Sequence, residues 1–494
     1  MTLPHHARIC LRVSRVSIVA ALLTLGGCAI APLPTAEAPR IPAAWDTAPP
    51  PAAEVVAPAA WWRSWNDPVL EALIDATRRQ SPTVEAAAAR LRQARAALGL
   101  TQAAAWPIAT ASASATRADA GPGTPGPAST LPLSVAAQWE IDLWGQARLA
   151  RAAAERRIDA RRIEAAALDQ SLAADVATLY VNLRVAQALM IGIERDRQSR
   201  AETARLTRLK VEAGFEAPAN AALAQAAASQ AEARVAEQQA EIDRILLALS
   251  ALSGLEVRDL RARMASAQGA APESLLPRVA ALAPPALPSA LLRQRPDLAA
   301  LELELAALAA EVGVAEADRY PKVTLTGSVG YSLTRALGVT SDGPTWGFGP
   351  AISIPLFDAG RRSAAVEAAR ARHDELRAQY RQAATQAVRE VEEALVALRD
   401  NAARQRALGE ALAGYRAFER AAEARLKAGV GSVLELEDAR RSVLAAQLAV
   451  LNLERERLLA LVSLHRAIGG GVDPAAVVAS SEASADTATR LHNR

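Results

Sequence analysis

One spacing recurs along this 494-residue chain, and it restricts what the chain can fold into. Pro82 recurs as Pro296, 214 residues on, and Trp106-Pro107 recurs as Tyr320-Pro321 at the same shift. Ile141-Asp142-Leu143-Trp144 is answered by Ile354-Pro355-Leu356-Phe357 at 213. Gly145 is answered by Gly360, Ala213-Gly214 by Ala428-Gly429, and Gly254 by Gly469, all at 215. Chance matches do not keep step in this way, so one architecture of about 215 residues is built twice and then combined.

The N-terminus reads as a secretory signal over residues 1–27. Arg8, Arg12 and Arg15 form its basic region, and Val16 to Leu25 is an apolar stretch too short for a settled transmembrane helix. Leu25-Gly26-Gly27-Cys28 resembles a bacterial lipobox, which implies cleavage before Cys28 and acylation of that residue. Ala29 in the next position resembles outer-membrane sorting. The only other cysteine, Cys10, leaves with the signal, so the mature chain is expected to rely on packing and assembly, without a disulfide. The alternative is an ordinary signal with an incidental cysteine. The net charge of +3 also belongs to the signal, which holds three arginines and no acid. A near-neutral mature chain with alternating Arg and Glu has no basic stripe for nucleic acid.

Residues 28–60 are rich in Pro and Ala and are expected to form an extended tether. Asp67-Pro68 predicts a helix start, with Asp67 as N-cap. The first repeat spans 61–270, with strands at about 107–117 and 131–143 and a helical hairpin at 145–254. A linker at 271–290 leads to the second repeat, 291–470, with strands at about 321–334 and 345–357 and a hairpin at 360–469. The tail, 471–494, is expected to be disordered. Gly/Pro-rich loops are expected at 119–130 and 335–344.

The strand assignments rest on alternation. Val323, Leu325, Val329, Tyr331 and Leu333 take one face while Thr324, Thr326, Ser328, Ser332 and Thr334 take the other. Trp346, Phe348, Ile352, Ile354 and Leu356 repeat the pattern, as do Leu131, Leu133, Val135, Trp139 and Ile141. The segment from Ile108 to Thr116 is weaker, alternating Ala with Ser and Thr. Eight of the seventeen aromatic residues gather in these segments. Apolar residues on one face and hydroxyls on the other suit a transmembrane β-barrel. A soluble antiparallel sheet with one face on a core is the alternative.

Gly145 to Ala213 and Gly360 to Ala428 contain no proline and are rich in strong helix formers. Each is long enough to run about 100 Å, and its charges forbid membrane burial. Four strands cannot close a barrel, and lipid does not tolerate an open sheet edge. Copies of the chain are therefore expected to complete the wall. Two give eight strands, a barrel filled by side chains; three give twelve, which leaves a lumen.

The motifs Trp61-Trp62 with Asp67-Pro68, Trp139-Glu140-Ile141-Asp142-Leu143-Trp144-Gly145 and Leu292-Arg293-Gln294-Arg295-Pro296-Asp297 occur in order. Tyr320-Pro321, Ile354-Pro355-Leu356-Phe357-Asp358-Ala359-Gly360 and Ala428-Gly429-Val430-Gly431-Ser432 follow. With them the chain, over about 61–470, resembles the outer-membrane factor family of TolC- and OprM-like channels, in its lipoprotein, NodT-type branch. The resemblance implies an α+β membrane protein. In it a homotrimer forms a 12-stranded outer-membrane β-barrel continued by a long α-helical periplasmic barrel. It further implies a passive exit duct for small molecules, docked to a periplasmic adaptor and an inner-membrane transporter.

Leu434, Asp438 and Arg441 share one helix face and match the family positions that form the periplasmic gate. Taken alone, Asp438 and Arg441 read equally as a solvated i, i+3 pair. The corresponding residues of the first repeat are Ala219, Leu223 and Ala226, so a gate here is asymmetric. Gly214 and Gly429 are expected to be the turns where the adaptor docks, and Gly145 and Gly360 the strand-to-helix transitions. No catalytic constellation is present, the histidines have no metal-ligand spacing, and the only attached group expected is the lipid on Cys28. Two other readings stay open: an outer-membrane channel for type I protein secretion, and a non-conducting periplasmic coiled-coil lipoprotein.

Overall fold

The computed structural model describes residues 41–47, 60–119, 126–264, 275–277, 279, 288, 291–337 and 339–479. The signal, Cys28 and most of the tether lie outside the described residues. The chain forms two compact units. One contains Arg90–Arg161 and Ala300–Tyr380; the other contains Pro39–Ala89, Arg162–Ala299 and Arg381–Arg494.

The first unit holds the sheet. Its strands are β1 (Ile108–Ala113), β2 (Thr116–Ala118), β3 (Ala128–Ile141), β4 (Lys322–Ala336) and β5 (Val339–Ser353). The order is β1-β3-β4-β5, with β2 also on β3. All pairs are antiparallel, and β3 of the first repeat pairs with β4 of the second over fourteen residues. β1 and β2 keep one register on β3 and are separated only opposite Pro132. The Pro132 carbonyl accepts from Ser114 N at 3.2 Å, but proline has no N–H to return, so the ladder lapses for two residues. The wall therefore has four strand positions.

The register brings the apolar residues to one face. Leu131 lies opposite Leu333, Leu133 opposite Tyr331, Val135 opposite Val329 and Trp139 opposite Leu325. Val329 in turn faces Trp346, and Val323 faces Ile352. The other face pairs hydroxyls, with Ser112 Oγ 3.0 Å from Ser134 Oγ and Thr116 Oγ1 2.6 Å from Thr130 Oγ1. Large residues stand bare on the apolar face: Phe348 is 82% exposed and Trp346 74%. Among the described residues no core covers them, which argues against a soluble sheet with a buried face.

Several strand limits differ from expectation. The loop expected at 335–344 is mostly strand: only residues 337–338 separate β4 from β5, and Leu337 turns at φ 54°. β5 tolerates Pro344 because it is an edge strand of this sheet. It ends at Ser353, short of the expected 357, where Pro355 interrupts pairing. β3 starts at Ala128 and stops at Ile141, before Asp142. Trp139 Nε1 donates to Ala105 O at 2.9 Å, and Trp144 Nε1 to Pro321 O at 2.6 Å, so indoles tie the strand ends to the repeated Trp-Pro and Tyr-Pro turns.

Helices α1 (Pro68–Gln80), α2 (Pro82–Ala104), α3 (Gln146–Glu212), α4 (Pro218–Ser253), α5 (Val257–Met264), α6 (Leu291–Gln294), α7 (Pro296–Ala317), α8 (Arg361–Lys427) and α9 (Val433–Ala467) make up the rest. Within the first unit, α3 lies close against α7 through small residues. Ala153, Ala307 and Ala310 pack with Leu149, and a Cβ on Gly313 would stand 2.8 Å from Leu149 Cδ1. Arg157 of α3 bonds Glu304 and Glu311 of α7, and these bonds, chiefly that to Glu311, hold its charge against partial burial.

The second unit holds the main core. A tight turn, Trp61–Trp65, buries three indoles against Leu70, Leu73 and Ile74 of α1, Tyr180 and Leu183 of α3, and Leu249 of α4. An 18-residue stretch of α3 is apolar enough to cross a membrane by composition, but 56% of it is buried in the protein. The Asp67 carboxylate caps α1 through Val69 N and Leu70 N and also accepts the Tyr180 hydroxyl. That phenol, which accepts from Arg184, is pushed above its usual range mainly by burial. His465 stacks on Trp61 at 4.5 Å, and burial pushes its pKa down to about 3.

Three expectations of extended or irregular chain need correction. Part of the 28–60 tether is docked: Trp45 packs on the Val391, Leu395 and Leu464 cluster, and Asp46 N and Thr47 N donate to Glu392. Leu275, in the 271–290 linker, is buried with Ala188 and Leu451. Residues 474–479 of the expected disordered tail are helical, with Asp473 accepting from Ala475 N. In each case an apolar side chain or a local cap outweighs a composition that reads as disordered.

Candidate functional site: the tips of the two hairpins

Both hairpins turn the same way. After α3, Gly214 takes φ 77°; after α8, Gly429 takes φ 78°. A left-handed glycine lets the last helical carbonyls be satisfied while the chain reverses. Phe215 N then donates to Lys210 O, and Val430 N to Arg425 O. The second turn is tighter. A Cβ on Gly431 would lie 2.8 Å from Leu426 N, Ser432 Oγ caps α9 by accepting Glu435 N, and Arg425 pairs with Glu435 across the turn. Gly145 (φ 81°) and Gly360 (φ 86°) take the same conformation where strand residues pass into α3 and α8.

Leu434, Asp438 and Arg441 lie along α9 from its first turn. Leu434 is 53% exposed, and the Asp438 and Arg441 side chains are about half exposed and in contact with each other. Within one chain they therefore form the solvated i, i+3 pair, a contact worth a few tenths of a kcal/mol. They present an apolar residue and a carboxylate–guanidinium pair on a surface that this chain leaves open.

The next residues along α9 face the other way and are buried, which the sequence reading missed. Arg200 of α3 bonds Asp196 at 2.8 Å and Glu437 of α9 at 2.9 Å. Arg440 of α9 bonds Thr203 Oγ1 at 2.6 Å and pairs with Glu437 at 3.2 Å. The Arg200, Asp196 and Glu437 side chains are all less than 10% exposed. This cluster holds the second hairpin to the first, while Ala422, Leu436 and Ala439 pack the two helices of the second hairpin on each other. The signal lay in the repeat. At the corresponding positions stand Ala222 for Glu437, Gln225 for Arg440, Tyr415 for Arg200 and Ala411 for Asp196. Each charge departs from the repeat symmetry, as Asp438 and Arg441 do.

Beside the tips a groove of about 580 Å³ is lined by Leu206, Leu209, Phe215, Leu426, Val433 and Leu436. Phe215 and Val430, next to the two turn glycines, are 83% and 70% exposed. Among the described residues no group of His, Cys, Asp or Glu is arranged to hold a metal ion.

Comparison with known proteins agrees with this architecture. A family model described as "Outer membrane efflux protein" matches residues 73–255 and 287–470, two segments whose starts lie 214 and whose ends lie 215 residues apart. The pyoverdine export outer membrane protein OpmQ of Pseudomonas putida is 31% identical, over 95% of this chain and 98% of that protein. The outer membrane protein OprJ of Pseudomonas aeruginosa is 30% identical, over 93% and 96%. Among solved structures, the outer-membrane channel OprN superposes with a TM-score of 0.75 at 28% identity, covering 89% of this chain and 99% of that one. The Campylobacter jejuni CmeC channel shares the fold, with a TM-score of 0.80 at 22% identity over 92% and 98%. The repeated architecture, the strand-borne apolar face and these matches together establish that the chain belongs to the outer membrane efflux protein family.

Proposed function

We propose that this protein is the passive outer-membrane duct of a tripartite efflux pump for small molecules. The observation that carries the reading is the four-position wall with two unpaired edges, β1 and β5, and a bare apolar face. Lipid requires such edges to be paired, and three copies pair them in a 12-stranded barrel wide enough to conduct. The homotrimer continues as an α-helical periplasmic barrel. Cys28 carries the lipid anchor in the outer membrane.

At the periplasmic end, Leu434 narrows the opening, and the three copies of Asp438, paired with Arg441, ring it. Opening moves the second hairpin away from the first, which the Arg200–Glu437 and Arg440–Thr203 bonds resist. The glycine turns at Gly214 and Gly429, with bare Phe215 and Val430 beside them, receive the periplasmic adaptor, which links the duct to the inner-membrane transporter. The relative OpmQ is by its name a pyoverdine export protein, which supports small molecules as cargo.

The test is the mass of the full-length protein in detergent. A trimer is expected, together with a continued need for detergent after the Cys28 anchor is removed. A monomer that stays soluble without detergent would return the protein to the non-conducting lipoprotein reading.

A further inference from the structure

The outer face of the sheet ends in a row that is not apolar. Successive outward rows begin with Ile141, Val323 and Ile352 beside the start of the long helices and rise to Leu131 and Leu333, where β5 contributes Asp342. The next row holds Arg117 on β2, Ser129 on β3 and Arg335 on β4, paired directly across. Arg335 shares its face with Tyr331 and Leu333, and both arginines are exposed. Neither has an acidic partner among the described residues. Asp342, diagonal to Arg335, is held instead by the Tyr331 hydroxyl, and Asp119, two residues past Arg117, has an interaction of its own.

Height places this row. Ile141 to Leu131 is ten residues, about 33 Å along a strand and about 25 Å along the membrane normal at a tilt of about 40°. That equals the apolar band of an outer-membrane barrel. The arginine row stands one step beyond, at headgroup level, at the end of the strands away from the helices and so in the outer leaflet. Arginine forks match phosphate oxygens in two-point contact, and a flanking serine adds a donor.

We infer that Arg117, Ser129 and Arg335 form a binding site for the phosphate-bearing headgroup of an outer-leaflet lipid, repeated on each copy around the barrel. The inference rests on the membrane-duct reading above, because it takes the apolar face as lipid-facing. It goes beyond that reading by naming a lipid chemistry and the residues that meet it.

The full-length protein in detergent is titrated with lipid A and followed by native mass spectrometry, wild type beside Arg117→Ser/Arg335→Ser and Arg117→Lys/Arg335→Lys. Near a charged membrane surface each arginine is worth roughly a fivefold change in affinity, so the serine variant is expected to bind lipid A about thirtyfold more weakly. The lysine variant is expected to retain most of the binding. Dephosphorylated lipid A should bind all three proteins alike. Equal lipid A binding by wild type and the serine variant overturns the site. Displacement of lipid A by millimolar inorganic phosphate also overturns it, as an anion site without lipid preference. The oligomeric mass, read in the same spectra, separates the two proposals: a trimer with unchanged lipid binding refutes the site alone, whereas a monomer refutes the duct.

Discussion

At the scale of residues, the charges that do the holding are those that face inward. Arg200 is buried between Asp196 and Glu437, so removing it leaves the buried Asp196 carboxylate uncompensated, at a cost of about 3–5 kcal/mol. Arg200→Ala is expected to raise hydrogen exchange across the first turns of α9 and the facing part of α3. The double variant Arg200→Ala/Asp196→Ala should recover part of the loss, because the remaining carboxylate, Glu437, keeps Arg440. Unchanged exchange in the single variant contradicts the latch. His465 supplies a pH test. Its folded pKa is about 3 and its unfolded value about 6.5, so the unfolded chain binds the extra proton between them. The stability this contributes is complete above pH 6.5 and is lost as pH falls towards 3, at up to about 1.4 kcal/mol per pH unit. The melting temperature of His465→Phe should therefore fall less than that of wild type between pH 7 and 4; parallel curves contradict a buried neutral imidazole. Asp438 and Arg441 were readable as a helix-face pair, and the structure places them so. Glu437 and Arg440 were not, because alternating Arg and Glu on a long helix does not say which side meets a partner. Only their departure from the 215-residue repeat marks them.

At the scale of elements, helices were more legible than strands, and for a physical reason. A proline-free run of strong helix formers between two glycines specifies its own limits: α3 is Gln146–Glu212 and α8 is Arg361–Lys427, each flanked by left-handed glycines. Strand limits depend on partners. Residues 335–344 read as a loop from Gly338, Gly343 and Pro344, yet the β4–β5 ladder is continuous to Ala336 and Val339 because pairing overrides local propensity. Pro132 works in the opposite direction and divides β1 from β2 in a segment that reads as one strand. Two glycine substitutions separate local from assembled roles. A Cβ on Gly330 would lie 2.5 Å from the Leu133 carbonyl oxygen, so Gly330→Ala should force β3 and β4 apart and lower the yield of detergent-stable oligomer. A Cβ on Gly429 meets nothing within 4 Å, so Gly429→Ala should cost only the left-handed backbone term, about 1–2 kcal/mol. If that turn receives the adaptor, adaptor capture falls much further than the melting temperature does. Equal, small effects on both would remove Gly429 from the docking surface.

At the scale of the whole molecule, two surfaces are incomplete in the single chain. The sheet has edges that water or another copy must satisfy and an apolar face that only lipid covers; the hairpin tips leave Leu434, Asp438 and Arg441 open. The proposed closure into a threefold duct would complete both. The repeat predicted that one design is used twice, and the two family-model segments keep that spacing. On the proposed reading, the asymmetry between the repeats, Ala219, Leu223 and Ala226 in the first hairpin against Leu434, Asp438 and Arg441 in the second, puts the gate on α9. The most direct test is single-channel current through the full-length protein in planar bilayers, wild type beside Asp438→Ala/Arg441→Ala. Small or flickering currents in the wild type that grow severalfold in the double variant are the expected result. Absence of current from both proteins, in bilayers where insertion has been demonstrated, would contradict the duct itself.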